Sequence, residues 1–140
     1  MPRNTIESRV LDRIARKRRD VFLRDDFNDL GGYDQVGRVL LLLVRQGQLM
    51  KMGQGVYVRT RPSILDGKPI PAKGIRDLAA QALRRLGFKT APTRLDEDYS
   101  AGRTTQVPTG RSIAVCGRIR RKLNYNGTPL RFERAGPSPR

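Results

Sequence analysis

Between residues 21 and 58 three glycine breaks cut the chain into pieces of different period, and this punctuation constrains the fold more than any other feature. After Gly31-Gly32, the apolar residues Val36, Val39, Leu40, Leu43 and Val44 recur at i, i+3, i+4, i+7 and i+8, which predicts a helix over residues 33–46 ended by Gly47. Before the glycine pair, Asp25 and Asp26 fall in the first turn of a shorter helix over residues 24–30 that turns Phe27 and Leu30 inward, with Val21-Phe22-Leu23 as an extended lead-in. Beyond Gly47, residues 49–52 and 56–59 alternate around Gly53-Gln54-Gly55, a hairpin signal with glycine where positive φ is needed.

Upstream, Ile6, Val10 and Ile14 with Leu11 beside them predict a first helix over residues 5–18 with one buried stripe. Asn4 followed by Glu7 resembles a capping box, and the run Arg16-Lys17-Arg18-Arg19 sits where the helix dipole favours cations. Helix, short helix, turn, helix and hairpin in that order make residues 1–60 a predicted winged helix-turn-helix, with the helix after Gly32 as its recognition helix.

Residues 61–73 carry three prolines and little periodicity, so they read as a linker or an extended strap. Ile75, Leu78, Ala79, Ala82, Leu83 and Leu86 then give a fourth amphipathic helix capped by Gly87. Residues 106–107 and 112–116 suggest strands, and Asn126-Gly127 is a two-residue hairpin turn. That turn would set Tyr125 opposite Thr128, Leu123 opposite Leu130, Arg121 opposite Phe132 and Arg120 opposite Glu133. One face of the hairpin would then pack, and the other would be a basic stripe of Arg118, Arg120, Lys122 and Arg131, with Arg121 a misfit on the apolar side. The expected fold class is α+β: the winged domain, then a small basic domain over residues 74–134 with one helix and a β-hairpin, then a disordered tail at 135–140.

Charge selects the partner. Lys and Arg number 29 against 13 acids, for a net +16, and only six of the 29 are lysine. Such a field draws polyanions, and the planar guanidinium suits phosphates and guanine edges, although a GC-rich genome would enrich arginine as well. Residues 1–60 carry 12 basic and 7 acidic groups, and residues 61–140 carry 17 and 6, so the second half is the more basic. With no histidine and one cysteine, Cys116, the chain lacks the residues for zinc sites, Ser-His or Cys-His nucleophiles and disulfide scaffolds. Cys116 reads as a small buried filler. The acids Asp25-Asp26 and Asp96-Glu97-Asp98 do not form a spaced carboxylate set with a lysine, so no catalytic residue, metal or cofactor is expected. The longest apolar run, residues 39–44, is far short of a membrane span, and a soluble cytoplasmic protein is expected.

On the recognition helix, Gln35 could bond adenine bidentately, Arg38 guanine, and Tyr33 a phosphate or a thymine methyl, with Arg45 on the same exposed side. Lys51 and Gln54 on the wing would lie over the adjacent backbone or minor groove, and Arg24 joins the set of candidate DNA contacts. Taken singly, Gln35 and Arg38 could equally be solvated helix surface. Arg16, Arg18 and Arg19 read either as a phosphate clamp or as a solvated helix end. Leu41 and Leu42 widen the apolar stripe, either to seat the fourth helix, the favoured reading, or to form a dimer contact.

The order and spacing of Asp20-Val21-Phe22, Asp26-Phe27, Leu30-Gly31, Val36-Gly37-Arg38-Val39-Leu40, Leu43-Val44, Gly47 and Lys51 to Tyr57 resemble the AbiEi-type antitoxins and transcriptional regulators of type IV toxin-antitoxin systems. Leu65-Asp66-Gly67-Lys68-Pro69, Leu86-Gly87 and Thr104-Thr105-Gln106-Val107-Pro108-Thr109 extend the likeness to its short members. The resemblance implies an amino-terminal domain that binds operator repeats in its own promoter, and inverted repeats there would let two copies bind side by side as a homodimer on DNA. It also implies a carboxyl-terminal domain that counters a nucleotidyltransferase-like toxin. Two readings of other classes stand beside it: an RNA-binding protein using the basic second half, and a protein-interaction module whose basic surface neutralises a toxin.

Overall fold

A computed structural model describes residues 5–107 and 111–135 of the chain. The molecule is α+β and divides into two compact units, Met1–Lys73 and Gly74–Arg140.

The first unit begins with helix α1, Ile6–Arg16, whose N-cap is Thr5: its side chain accepts a hydrogen bond from the Ser8 N–H at 3.1 Å. The cap expected at Asn4 lies outside the described residues. Strand β1, Val21–Leu23, leads into a 3-10 helix, Arg24–Leu30, where the Asp26 carboxylate accepts from the Leu23 N–H at 2.9 Å. Helix α2, Tyr33–Arg45, follows. Its stripe, with those of α1 and the 3-10 helix, closes a core of Val10, Ile14, Phe22, Phe27, Val36, Leu40, Leu43, Leu49 and Tyr57. Each such side chain removed from water contributes about 1.5–3 kcal/mol, so this cluster dominates the unit's stability.

Strands β2, Leu49–Gly53, and β3, Val56–Pro62, form the expected hairpin, with a bulge between Lys51 and Gly53 and Gly55 at φ +70° in the turn. Strand β1 also pairs antiparallel with β3, Val21 opposite Val58. Residues 61–73, read from sequence as a linker or an extended strap, instead end β3 and return alongside it as a further strand. Strand β4, Pro69–Pro71, pairs antiparallel with β3, Thr60 opposite Pro71 and Pro62 opposite Pro69. The prolines that suggested a linker are tolerated because β4 is an edge strand, where a missing N–H breaks no ladder on the outer side. The Arg59 N–H donates to the Asp20 carbonyl and the Arg59 carbonyl accepts from the Ala72 N–H, both at 2.8 Å. Since N–H and C=O of one strand residue point the same way, β1 and β4 lie along one side of β3 and β2 along the other.

The second unit holds two helices rather than the one expected. Helix α3, Ile75–Arg85, buries Leu78, Ala79, Ala82 and Leu83 and is followed by Gly87 at φ +90°. Helix α4, Arg94–Ser100, arises from the acidic segment: Thr93 caps it, accepting from the Asp96 N–H while the Asp96 carboxylate accepts from the Thr93 N–H, each at 3.0 Å.

Strand β6, Ser112–Cys116, pairs antiparallel with β5, Lys89–Ala91, on one side and parallel with β9, Arg131–Arg134, on the other. The Asn126-Gly127 turn joins β7, Asn124–Tyr125, to β8, Thr128–Pro129, with Tyr125 opposite Thr128, and the Leu130 N–H donates to the Leu123 carbonyl at 2.9 Å. There the expected register stops. Arg121 does not face Phe132, nor Arg120 Glu133, because β9 leaves the hairpin to satisfy the second edge of β6, setting Phe132 beside Ile113. Residues 106–107 lie in irregular chain rather than a strand. Ala135 still bonds the Val115 carbonyl, and the rest of the expected tail lies outside the described residues. Cys116 is half-buried with a free thiol.

Candidate functional site

The first unit has two distinguishable ends. At one, the Arg24 N–H donates to the Gly55 carbonyl at 3.0 Å, so the start of the 3-10 helix meets the turn of the β2–β3 hairpin. The Arg24 side chain then reaches across to the start of α2. Its Nη2 donates to the Tyr33 carbonyl at 2.6 Å, and its guanidinium carbon stands 3.4 Å from the centroid of the Tyr33 ring. Gly37 makes room for it, since a Cβ there would overlap the guanidinium. Tyr33 is thereby held 62% exposed. Beside it, burial pushes the Tyr57 phenol up from its ordinary value, with Arg24 opposing the shift and Tyr33 adding to it.

At the other end, the Thr60 hydroxyl donates to the Gly47 carbonyl at 2.7 Å, and Gly47 lies so close to Pro69 that any Cβ would strike the ring. The carboxyl end of α2 and the β3–β4 hairpin therefore share this end.

The exposed face of α2 carries Asp34, Arg38, Leu41, Leu42 and Arg45. Leu41 and Leu42, expected to seat the fourth helix or to form a dimer contact, are 46% and 39% exposed, because Leu40 and Leu43 already fill the inward stripe. Arg38, Arg45 and, on β2, Lys51 make no side-chain hydrogen bond or ion pair. Gln35 is exposed, but its Oε1 accepts from the Gly32 N–H at 3.2 Å, so the bidentate reading expected of it requires giving up that cap. Gln54 is exposed on the hairpin turn.

The remaining expected contacts divide. Arg18 is exposed and unpaired, Arg16 pairs with Asp12 at 3.1 Å on the surface, and Arg19 lies 3.8 Å from Asp26. Sequence reasoning missed two arginines that hold the unit together. Arg13 grips Asp29 through both guanidinium nitrogens at 2.5 and 2.7 Å and donates to the Asp26 carbonyl at 2.8 Å, tying α1 to the 3-10 helix. Its hydrogen bond holds the Asp29 carboxyl at about 2. Arg59 lies over Phe22 and donates from Nη2 to the carbonyls of Ile14, Lys17 and Arg19 at 2.7, 2.7 and 3.1 Å, closing the end of α1. No spacing in the sequence pairs residue 13 with 29 or 59 with 14.

The sequence pattern of a family of unknown function, DUF6088, matches residues 9–138. The chain belongs to this family. A comparison with curated proteins found no match, and a comparison with solved structures found none either.

In this DUF6088 chain the second basic group is a loop, not a stripe. Arg118, Arg120, Arg121 and Lys122 are exposed between β6 and β7, because β9 pairs with β6 and leaves them no partner strand. Half-buried Ile119 and buried Leu123 anchor the loop, Arg121 makes a contact of its own, and Arg131 is exposed on β9. Two acids of α4 are engaged in structure: Asp98 pairs with Arg103, and although burial alone would raise the Asp96 carboxyl, hydrogen bonds from Arg76 and Thr93 hold it below its ordinary value. Among the described residues, no cluster of acids and Cys116 could hold a metal ion, and no helix is long and apolar enough to cross a membrane.

Proposed function

We propose that this chain is a sequence-specific DNA-binding transcriptional regulator whose first unit acts as a winged helix-turn-helix. The observation that carries the reading is the division of labour among its cations: Arg13, Arg24 and Arg59 are consumed inside the unit, while Arg38, Arg45 and Lys51 stand exposed and unpaired. A fold with no use for these charges leaves them free for phosphates and base edges. Helix α2 enters the major groove with Tyr33 and Arg38 leading, and the β2–β3 turn lies against the adjacent backbone. The likeness to AbiEi-type antitoxins supports a cytoplasmic repressor acting on its own promoter, with the second unit directed at a nucleotidyltransferase-like toxin.

The test is fluorescence anisotropy with the chain's own promoter fragment and a random duplex of equal length, at about 150 mM salt where non-specific binding is weak. Tighter binding to the promoter, with Arg38→Ala lowering the discrimination by about 1–3 kcal/mol, supports the proposal. Equal affinity for both duplexes defeats it. One observation favours a second reading: the exposed loop of Arg118, Arg120 and Lys122 suits the phosphates of a structured RNA. A clear preference for RNA over promoter in the same assay selects that reading.

A further inference from the structure

Arg24 opens the 3-10 helix, and its long side chain is spent inside the unit rather than on solvent. Its backbone N–H is bonded to Gly55 in the turn of the β2–β3 hairpin, and its Nη2 to the Tyr33 carbonyl in the first turn of α2. One residue therefore ties together the hairpin turn, the 3-10 helix and the start of α2. Gly37, one helical turn beyond Tyr33, leaves the gap that the guanidinium occupies. The Arg24 Nε is buried there without a hydrogen-bond partner among the described residues. A donor buried unmatched opposes folding, so the stack on Tyr33 and the bond to its carbonyl must hold the side chain in this seat.

Tyr33 is held from both sides. Gln35 fixes the backbone before it through the Gly32 N–H, and Arg24 fixes the carbonyl after it. With the backbone set, a tyrosine in a helix keeps the χ1 rotamers of about 180° and about −60°. The guanidinium carbon, 3.4 Å from the ring centroid, covers one face of the ring, and leaving that rotamer would abandon the stack. An aromatic side chain 62% exposed is thus confined to one orientation without being buried. Tyr33 lies outside the core cluster, so the orientation of its ring matters to what meets it from solvent.

We propose that Arg24 is a positioning residue for Tyr33: it touches no DNA itself but pre-sets the ring for the base edge that Tyr33 meets when α2 enters the major groove. The inference rests on the DNA-binding reading above and adds what sets its selectivity. A free side chain must be ordered on binding, at a cost equal to about a twofold to tenfold loss of affinity, whereas a splinted one is ordered in advance. Arg24, placed by sequence among the DNA contacts, then acts on selectivity without adding a phosphate contact. Gly37 is its partner in this role, since a side chain there evicts the guanidinium while leaving its charge on the chain.

Fluorescence anisotropy of the full chain on its own promoter fragment and on a random duplex tests it, each variant first judged folded by circular dichroism. Arg24→Ala and Gly37→Ala each lower the preference for promoter by about twofold to tenfold, although the second removes no charge. Arg24→Ala leaves the slope of log affinity against log salt unchanged, where loss of a phosphate contact would reduce it by about one. In a Tyr33→Ala chain, which has already lost the ring, Arg24→Ala costs no further preference. Proton magnetic resonance of the chain without DNA gives an independent readout: the Arg24 side-chain protons, lying against the ring, resonate upfield, and Gly37→Ala returns them to ordinary positions. A preference that survives Arg24→Ala or Gly37→Ala, a reduced slope, a further loss in the Tyr33→Ala chain, or Arg24 protons without the upfield shift overturns the proposal and leaves the DNA reading standing. An unmodified chain with no preference for promoter, its Arg24 protons still shifted, defeats that reading, and the role given to Arg24 falls with it.

Discussion

Replacing Gly37 by alanine sets two effects of known sign against each other. Glycine inside a helix costs about 1 kcal/mol relative to alanine, so on propensity alone Gly37→Ala stabilises α2. The three atoms nearest the added Cβ all belong to the Arg24 guanidinium, which must leave its seat. It then forfeits the stack on Tyr33, about 0.5–1 kcal/mol at a half-exposed site, and a charged hydrogen bond to the Tyr33 carbonyl, about 1.5 kcal/mol at the lower end of its range. Together these outweigh the propensity gain, and Gly37→Ala destabilises the unit by about 1 kcal/mol. With Arg24→Ala already present nothing obstructs the methyl group, and the same substitution stabilises by about 1 kcal/mol. The coupling, about 2 kcal/mol, is read from urea unfolding of the four proteins by far-ultraviolet circular dichroism. A gain of equal size in both backgrounds refutes the seating of Arg24.

Asp29 titrates at about 2 in the folded chain against 3.8 ordinarily, so its contribution to stability is present above about pH 4 and lost as pH falls toward 2. Asp29→Asn should flatten the thermal midpoint over that acid range while leaving its slope near neutrality unchanged. Arg59→Ala strips three carbonyls at the end of α1 of their donor and removes the contact of Arg59 with buried Asp20, a loss of about 2–3 kcal/mol that a denaturation midpoint will register. Lys51→Ala should weaken binding to promoter and random duplex alike and reduce the slope of log affinity against log salt by about one, whereas a selective loss on promoter would make Lys51 a base contact.

Elements written in local periodicity were legible in the sequence. The stripes of α1, α2 and α3, the glycines that follow α2 and α3 and the Asn126-Gly127 turn are signals within one element, and each appears where its residues place it. What escaped depends on distant partners. The parallel pairing of β9 with β6 answers the open edge of a strand about twenty residues away, which the hairpin's own register does not reveal. Proline-rich β4 resembles a linker until β3 is known to lie beside it. At the candidate site, sequence marked which cations lie on α2, but not that Arg24 stacks inward on Tyr33 or that Gln35 is occupied as a cap. Contacts of that kind are settled by where a long side chain comes to rest, and no spacing rule encodes it.

The place of β4 bears on how the molecule can be divided. Cutting at residue 60, where composition changes, would take away β4 together with the last two residues of β3, leave the Arg59 carbonyl without its Ala72 donor, and open the shortened end of the sheet to neighbouring chains. A fragment carried through Lys73 keeps that flank sealed, and it is the shortest piece from this end expected to stand alone without clumping.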